Sequence, residues 1–307
     1  MKETFGQKTR RSHKRNQRVV MFWCAFVFAF VIAGVWLFRG TLFQNDSGAS
    51  SSGTNQSRHD ACGTADSRQK STDVTQAPMD HEVCQKLQDL VSQDQRVQQV
   101  IDNCEIYPED ILKMLSRNLD MLNFVLEYPE KVGQVFAETV GEVEGGEVPL
   151  LLQYDQRWGY GDYCNSSVAV SGCGPACLSM VITSLTGDDT ITPYVVAQYA
   201  SEQGYYVPGA GTAWTLMSEG AKHFGVIGEE LPLTKSIMEG VLKEGRPIIC
   251  SMRPGAFTTT GHFIVITGIK DGQFTVNDPN STERSNMLWD YDTLKPQISN
   301  LWAFQAL

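Results

Sequence analysis

In "AVSGCGPACLSM", residues 169–180, two cysteines stand four apart behind a Gly-Cys-Gly-Pro turn. A cysteine in such a place serves as a nucleophile, half of a disulfide, a metal ligand or core filler. Pro175 suits a first helical turn, where its missing N–H costs no hydrogen bond, and Gly172 and Gly174 permit close backbone approach. Cys173 then lies at the positive end of a helix dipole, which stabilises negative charge on sulfur. A thiolate there can attack a carbonyl carbon, with helix-terminal N–H groups near the developing oxyanion. Cys177, one turn further in, shares a side with Val181 and Leu185 and reads as a core residue or a disulfide half.

A thiolate nucleophile needs an imidazole partner and a group that orients it. The chain has five histidines. His13 lies in a basic N-terminal segment, His59 in a polar stretch and His81 at the start of a helical region, while His223 in "EGAKHFGV" looks like a helix-end residue. His262 opens the apolar strand "HFIVITGI" just after Gly261, where a side chain can face a cleft, and is the better base. The orienting group should come from the adjacent strand, "FTVNDP", and hairpin register decides which residue it is. A two-residue loop, Asp271-Gly272, sets residue 266 opposite 277 and gives Asn277 the His262 face. A three-residue loop, Lys270-Asp271 with Gly272 as a left-handed bulge, sets 264 opposite 278 and gives that face to Asp278. Sequence physics alone leaves both open.

The elements that must hold these residues read as α+β. "DYCNSSVAVSGCGPACLSMVITSLTG" is a loop feeding a helix that stops at Gly187, and "GHFIVITGIKDGQFTVNDP" is a hairpin with an Asp-Gly turn. One helix early and strands late give an α+β domain over residues 147–307. Ahead of it, residues 81–146 form a helical lead-in. Leu87, Leu90, Val91, Val97, Val100 and Ile101 recur at three and four, and "YPEDILKMLSRNLDMLNFVLEY" does so more strongly. Pro108 with Glu109 and Asp110 marks a helix start and Pro129 a stop. No titratable cluster appears there, so these amphipathic helices are a lead-in packed on the next domain or a small module of their own.

"SGCGPACLSMV", followed by "GHFIVITGI" and "VNDP", resembles the papain-like cysteine peptidases related to the bacteriocin-processing, double-glycine peptidases. "VPLLLQYDQRWGY" is similar to the opening of that family's stand-alone extracellular branch, and the resemblance covers roughly Pro149 to Leu307. It implies a papain-like fold in which an N-terminal helix carries the Cys and an antiparallel sheet carries the His and Asp. It further implies Cys173 as nucleophile, His262 as general base and Asp278 as orienting carboxylate, which selects the three-residue loop. Papain-like enzymes place an oxyanion Gln about six residues before the nucleophile, where this chain has Ser167. Gln153 is the candidate instead, because the family opening carries a Gln there.

The first eighty residues set the address. Residues 1–18 hold seven Lys/Arg against one Glu, a basic tail expected in the cytoplasm. "VVMFWCAFVFAFVIAGVWLF", residues 19–38, is uncharged and long enough to span about 30 Å of hydrocarbon. A cleaved secretory signal would be shorter and end in small residues, whereas this run ends in Trp36, Leu37, Phe38 and Arg39, so it reads as a single-pass transmembrane helix. Residues 39–80 are a polar, flexible linker reaching roughly 35 Å. The remainder is expected outside the cell membrane.

The whole chain's net charge is −10, and with about +6 in residues 1–18 the remainder carries about −16, which speaks against nucleic-acid binding. No phosphate-binding GxxxxGK[ST] loop occurs, so no nucleotide-driven motor and no nucleotide partner are expected. Paired CxxC and Cys/His runs are missing, and neither a metal nor a cofactor is expected. Besides Cys173 and the membrane-embedded Cys24, six cysteines remain, namely Cys62, Cys84, Cys104, Cys164, Cys177 and Cys250. In an oxidising space they could pair, Cys84 with Cys104 among the options, though none need do so. The Gly- and aromatic-rich "GYYVPGAGTAWTLM" is a candidate cleft lining. The function read from the sequence is a membrane-anchored thiol peptidase acting on a peptide or protein, or its close variant, an amidase acting on cell-wall peptide. The reading from another class is a surface binding module on the same fold that has lost turnover.

Overall fold

The computed structural model describes residues 80–307, which fall within one compact unit. The basic tail, the span at 19–38, nearly all of the linker, Cys24 and Cys62 lie outside the described residues. Among the described residues no helix is long and apolar enough to cross a membrane.

Four short helices come first: α1 (His81–Leu90), α2 (Val97–Asp102), α3 (Glu109–Leu115) and α4 (Leu122–Lys131). The Cys84-to-Cys104 stretch is thus not one helix. Asp94 accepts the Arg96 backbone N–H at 2.9 Å, a local bond that competes with the helical ladder. Pro108 caps α3, with Glu109 and Asp110 in its first turn. Pro129 does not stop α4, as the sequence predicts; it sits inside the last turn, and the chain leaves the helix at Val132 and Gly133, the glycine at φ +79°. From there to residue 161 the backbone is irregular.

The loop expected ahead of Cys173 contains structure of its own. Strands β1 (Asp162–Tyr163) and β2 (Ser166–Ser167) make a minimal hairpin, and one turn, α5 (Val168–Ser171), precedes the long helix α6 (Cys173–Thr186). Every residue of α6 from Gly174 to Thr183 is buried, which is why its sequence is apolar all round rather than striped. Gly187 ends it in the left-handed conformation, φ +74°. Helix α7 (Pro193–Glu202), the small hairpin of β3 (Tyr206–Val207) and β4 (Gly211–Thr212), and the short α8 (Thr215–Ser218) follow.

The remaining strands are β5 (Val226–Glu230), β6 (Ile248–Met252), β7 (His262–Lys270), β8 (Gln273–Asn277), β9 (Leu288–Trp289) and β10 (Ile298–Ala306). They form one antiparallel sheet in the order β5-β10-β6-β7-β8-β9. Helix α9 (Lys235–Lys243) sits between β5 and β6 in sequence. Both sheet faces are covered. Phe263 and Val265 of β7, with Ile249, Trp302 and Phe304, pack with Cys177, Val181 and other α6 and α7 residues. Ile264 and Ile266, with Cys250, Leu301 and Ala303, pack with Met238 and Leu242 of α9. The unbroken apolar run "HFIVI" is the signature of such two-sided burial.

A third core joins α1–α4 to the segment ahead of Cys173. Leu87, Val97, Ile111, Leu115 and Phe124 share it with Tyr154, Tyr160 and Ala169. Phe124 and Tyr160 stack with centroids 4.4 Å apart at 12°. These helices thus share their core with the segment that leads to Cys173.

Candidate active site

The hairpin register departs from both simple forms. Lys270 pairs with Gln273, so the turn is the two-residue Asp271-Gly272, with φ of 53° and 76° as a type I′ turn requires. The three-residue loop is therefore not what the chain adopts. Between Gly268 and Ile266 the ladder slips by one residue at Thr267, and beyond that bulge Ile266 pairs with Val276 and Val265 with Asn277. The slip does what the longer loop would have done: continued one step, it sets residue 264 opposite 278. Asn277 turns away and donates from Nδ2 to the Val148 carbonyl at 2.9 Å.

Asp278 is fully buried and its Oδ1 lies 2.8 Å from Nε2 of His262. His262 is itself buried at the mouth of β7, opposite Met252 of β6. The Cys173 side chain is the other titratable group that acts on His262. With Nε2 engaged by the carboxylate, Nδ1 is the ring nitrogen left for the sulfur. Burial alone would favour neutral imidazole, but the charge and hydrogen bond of Asp278, together with Cys173, outweigh it and raise His262 to about 10. Asp278 feels the converse. Burial disfavours its charge, yet His262 and Arg284 hold its carboxyl below the ordinary range.

Cys173 is the first residue of α6, half-buried at the edge of the core between that helix and the sheet. The flanking glycines are there for space. A methyl group on Gly172 would lie 2.4 Å from the Val168 carbonyl oxygen, and one on Gly174 would lie 2.8 Å from Thr212. Thr212, whose hydroxyl meets that of Tyr163 at 3.0 Å, thereby brings the 204–217 segment against the helix mouth. Trp214 in that segment stays 47% exposed, its indole N–H donating to Ser251 Oγ at 3.0 Å. Cys177 is wholly buried among apolar side chains, which pushes its thiol well above the ordinary value. Cys84, Cys104, Cys164, Cys173, Cys177 and Cys250 are all free thiols, so Cys84 and Cys104 do not join.

Gln153 ties the two halves of the site together. Its backbone N–H donates to the carbonyl of Pro279, next to Asp278, at 2.8 Å, and its Nε2 donates to Ala169, four residues before Cys173, at 2.5 Å. Its Oε1 is buried without a partner. Ser167 has a buried, unpartnered hydroxyl within β2. His223 is apart from the site, stacked on Tyr199 with centroids 4.2 Å apart. Among the described residues no group of three or more His, Cys, Asp or Glu is placed to hold a metal ion.

The sequence reading missed Arg284, Ser281 and Ser285. After β8 the chain turns back so that Asp278 bridges Ser281, and Ser281 caps the single helical turn α10 (Thr282–Ser285). The turn returns Ser285 Oγ to the Asp278 N–H at 2.9 Å and Arg284 Nε to Oδ2 at 2.5 Å. The available signal was the N-cap Ser-Thr-Glu-Arg directly after Asp-Pro-Asn, since one helical turn places residues 284 and 285 beside 278.

Residues 146–305 match the model of the Peptidase_C39-like family. Among solved structures, the peptidase domain of Streptococcus ComA, described as a bi-functional ABC transporter involved in a quorum sensing pathway, is 17% identical. That match covers 45% of this chain and 93% of that one, with a TM-score of 0.36. No curated protein matches the chain.

Proposed function

The chain belongs to the Peptidase_C39-like family of papain-like cysteine peptidases, and on that premise we propose that it is a working thiol peptidase with Cys173, His262 and Asp278 as its triad. The observation that carries this reading is the buried His262–Asp278 contact of 2.8 Å beside the free thiol at the mouth of α6. The Cys173 thiolate attacks the peptide carbonyl carbon, and the carbonyl π electrons move to oxygen. Collapse of the tetrahedral adduct breaks the C–N bond as Nδ1–H of the His262 imidazolium protonates the departing amine. A water then loses a proton to Nδ1, adds to the thioester and releases the carboxylic acid and Cys173. Asp278 fixes the ring and stabilises its charged form throughout.

Gln153 is the oxyanion side chain in this reading. Its Nε2 carries two hydrogens and Ala169 takes one, which leaves the second for the developing oxyanion beside the N–H groups of the first α6 turn. The substrate is a peptide or protein, held against the half-exposed Trp214 and its segment. We further propose that residues 19–38 anchor the chain as a single membrane-spanning helix with residues 81–307 outside.

Three experiments test these statements. Labelling of the full-length chain with a cysteine-directed electrophile should modify Cys173 in a His262-dependent way, and peptide-library profiling should give cleavage that Cys173→Ala abolishes. Modification without cleavage would favour the inactive binding module, and loss of both would remove the enzyme reading. For the address, externally added protease should degrade residues 81–307 on intact cells; complete protection would refute the outward orientation.

A further inference from the structure

Asp278 serves two cations. Oδ1 receives His262 Nε2 at 2.8 Å and the Asn280 N–H at 2.8 Å, while Oδ2 receives Arg284 Nε at 2.5 Å. The Asp278 side chain is fully buried and that of Arg284 is 25% exposed, so this pair is neither a surface bridge nor freely screened by solvent. The loop that carries Arg284 is held by other bonds: Ser285 Oγ to the Asp278 N–H, Ser281 Oγ to the Arg284 N–H, and the Trp289 indole to the Arg284 carbonyl. The guanidinium is therefore not what shapes the loop.

We propose that Arg284 is a positioning residue for the reaction described above: it grips Asp278 by Oδ2, so that Oδ1 is turned to His262, and it balances the charge of the buried set. The inference rests on the peptidase reading. With Cys173 as thiolate, His262 as imidazolium and Asp278 as carboxylate, the three groups carry one net negative charge in a largely buried site. Arg284 brings that total to zero, which is the condition under which buried charges are tolerated. The groups acting on Asp278 are His262 from β7, Arg284 from α10, the neutral Tyr154 from the segment ahead of β1 and Cys177 from α6. Arg284 is the permanent cation among them.

The test uses the full-length chain with Arg284→Met, which keeps the aliphatic bulk, and Arg284→Lys, which restores charge without the planar fork. The readout is the pH dependence of Cys173 alkylation by iodoacetamide, followed by mass spectrometry, which needs no turnover. In Arg284→Met the acid limb should move up by about one pH unit or more, as expected when a carboxylate loses an adjacent cation. At the pH of the native acid midpoint, a shift of one unit should lower the rate about fivefold. Arg284→Lys should recover most of that loss. An Arg284→Met profile superimposable on the native one would overturn the proposal, and so would a lysine variant no better than methionine while circular dichroism and melting stay native. The two readings fail separately. A native chain that alkylates through His262 but cleaves no peptide defeats the peptidase reading, whereas normal cleavage with an unmoved Arg284→Met profile defeats this one.

Discussion

Replacing Asp278 with asparagine removes a single charge from the most buried part of the site, and its effect on His262 can be worked through. In the native chain burial opposes the imidazolium, and the Asp278 charge and hydrogen bond reverse that opposition and raise His262 from 6.5 to about 10. Without the charge, burial is opposed by Cys173 alone, and His262 should fall back toward 6.5. A ring titrating at 6.5 would be charged in about 3% of molecules at pH 8 against nearly all of them in the native chain, roughly a thirtyfold fall. A second effect acts in the same direction. Both carboxylate oxygens receive donors, Oδ1 from His262 and Asn280 and Oδ2 from Arg284, but asparagine has one oxygen. If that oxygen stays on Arg284, the amide NH2 faces Nε2 and forces the proton onto Nδ1, so the ring can no longer take the Cys173 proton. The assay is the alkylation rate of Cys173 at pH 7 beside an NMR titration of the His262 ring. A rate equal to the native chain's, or a ring that still titrates near pH 10, would refute the argument.

Other consequences follow from the same geometry. Because folding raises the His262 pKa, its stabilising contribution is fully present below about 6.5 and is lost as pH rises toward about 10. Asp278, held low, contributes above 3.8 and loses that contribution as pH falls through its depressed value. Urea titrations across pH should therefore show an alkaline decline that His262→Asn flattens; an unchanged slope would disprove the linkage. Gly174→Ala places a methyl group 2.8 Å from Thr212 and should cost about 1–3 kcal/mol, with Thr212→Ala recovering part of it in thermal melts. Phe124→Ala empties the stack on Tyr160 and should cost about 3–5 kcal/mol although it lies outside the family match, an effect that denaturant midpoints would read.

How much the sequence disclosed differs from element to element, for physical reasons. The α6 boundaries were legible because each end carries a backbone constraint: Pro175 in the first turn and Gly187 in the left-handed conformation at the stop. The unbroken run "HFIVI" carried a signal for two covered sheet faces that the reading of it as a hairpin strand did not use. The hairpin shows the limit. Its Asp-Gly turn was legible, but the bulge at Thr267 has no side-chain signature, and one unpaired residue exchanges the faces of Asn277 and Asp278. Local physics of the turn alone left Asn277 and Asp278 both open; the motif resemblance pointed to Asp278 while attributing the register to a loop that does not form. Arg284 was missed for a related reason. Its partner lies six residues back, and only the capped turn at Ser281 brings them together.

The same loop explains why the helical region should affect the proposed chemistry, whose residues all lie within the family match at 146–305. Asn118, between α3 and α4, donates from Nδ2 to the Asn280 carbonyl at 2.9 Å, and the Thr282 hydroxyl donates to Asp120. These bonds fix the segment between Asp278 and Arg284 from outside, while Gln153 fixes it from the other side through Pro279. Asn280 matters doubly, since its N–H is one of the donors on Oδ1 of Asp278. Loosening the α3–α4 turn would thus let the carboxylate swing before it let the sheet unfold. Asn118→Ala should lower the His262-dependent alkylation rate of Cys173 more than it lowers the melting temperature. If stability fell while that rate per folded molecule stayed native, the helices would be a support for the fold and nothing more.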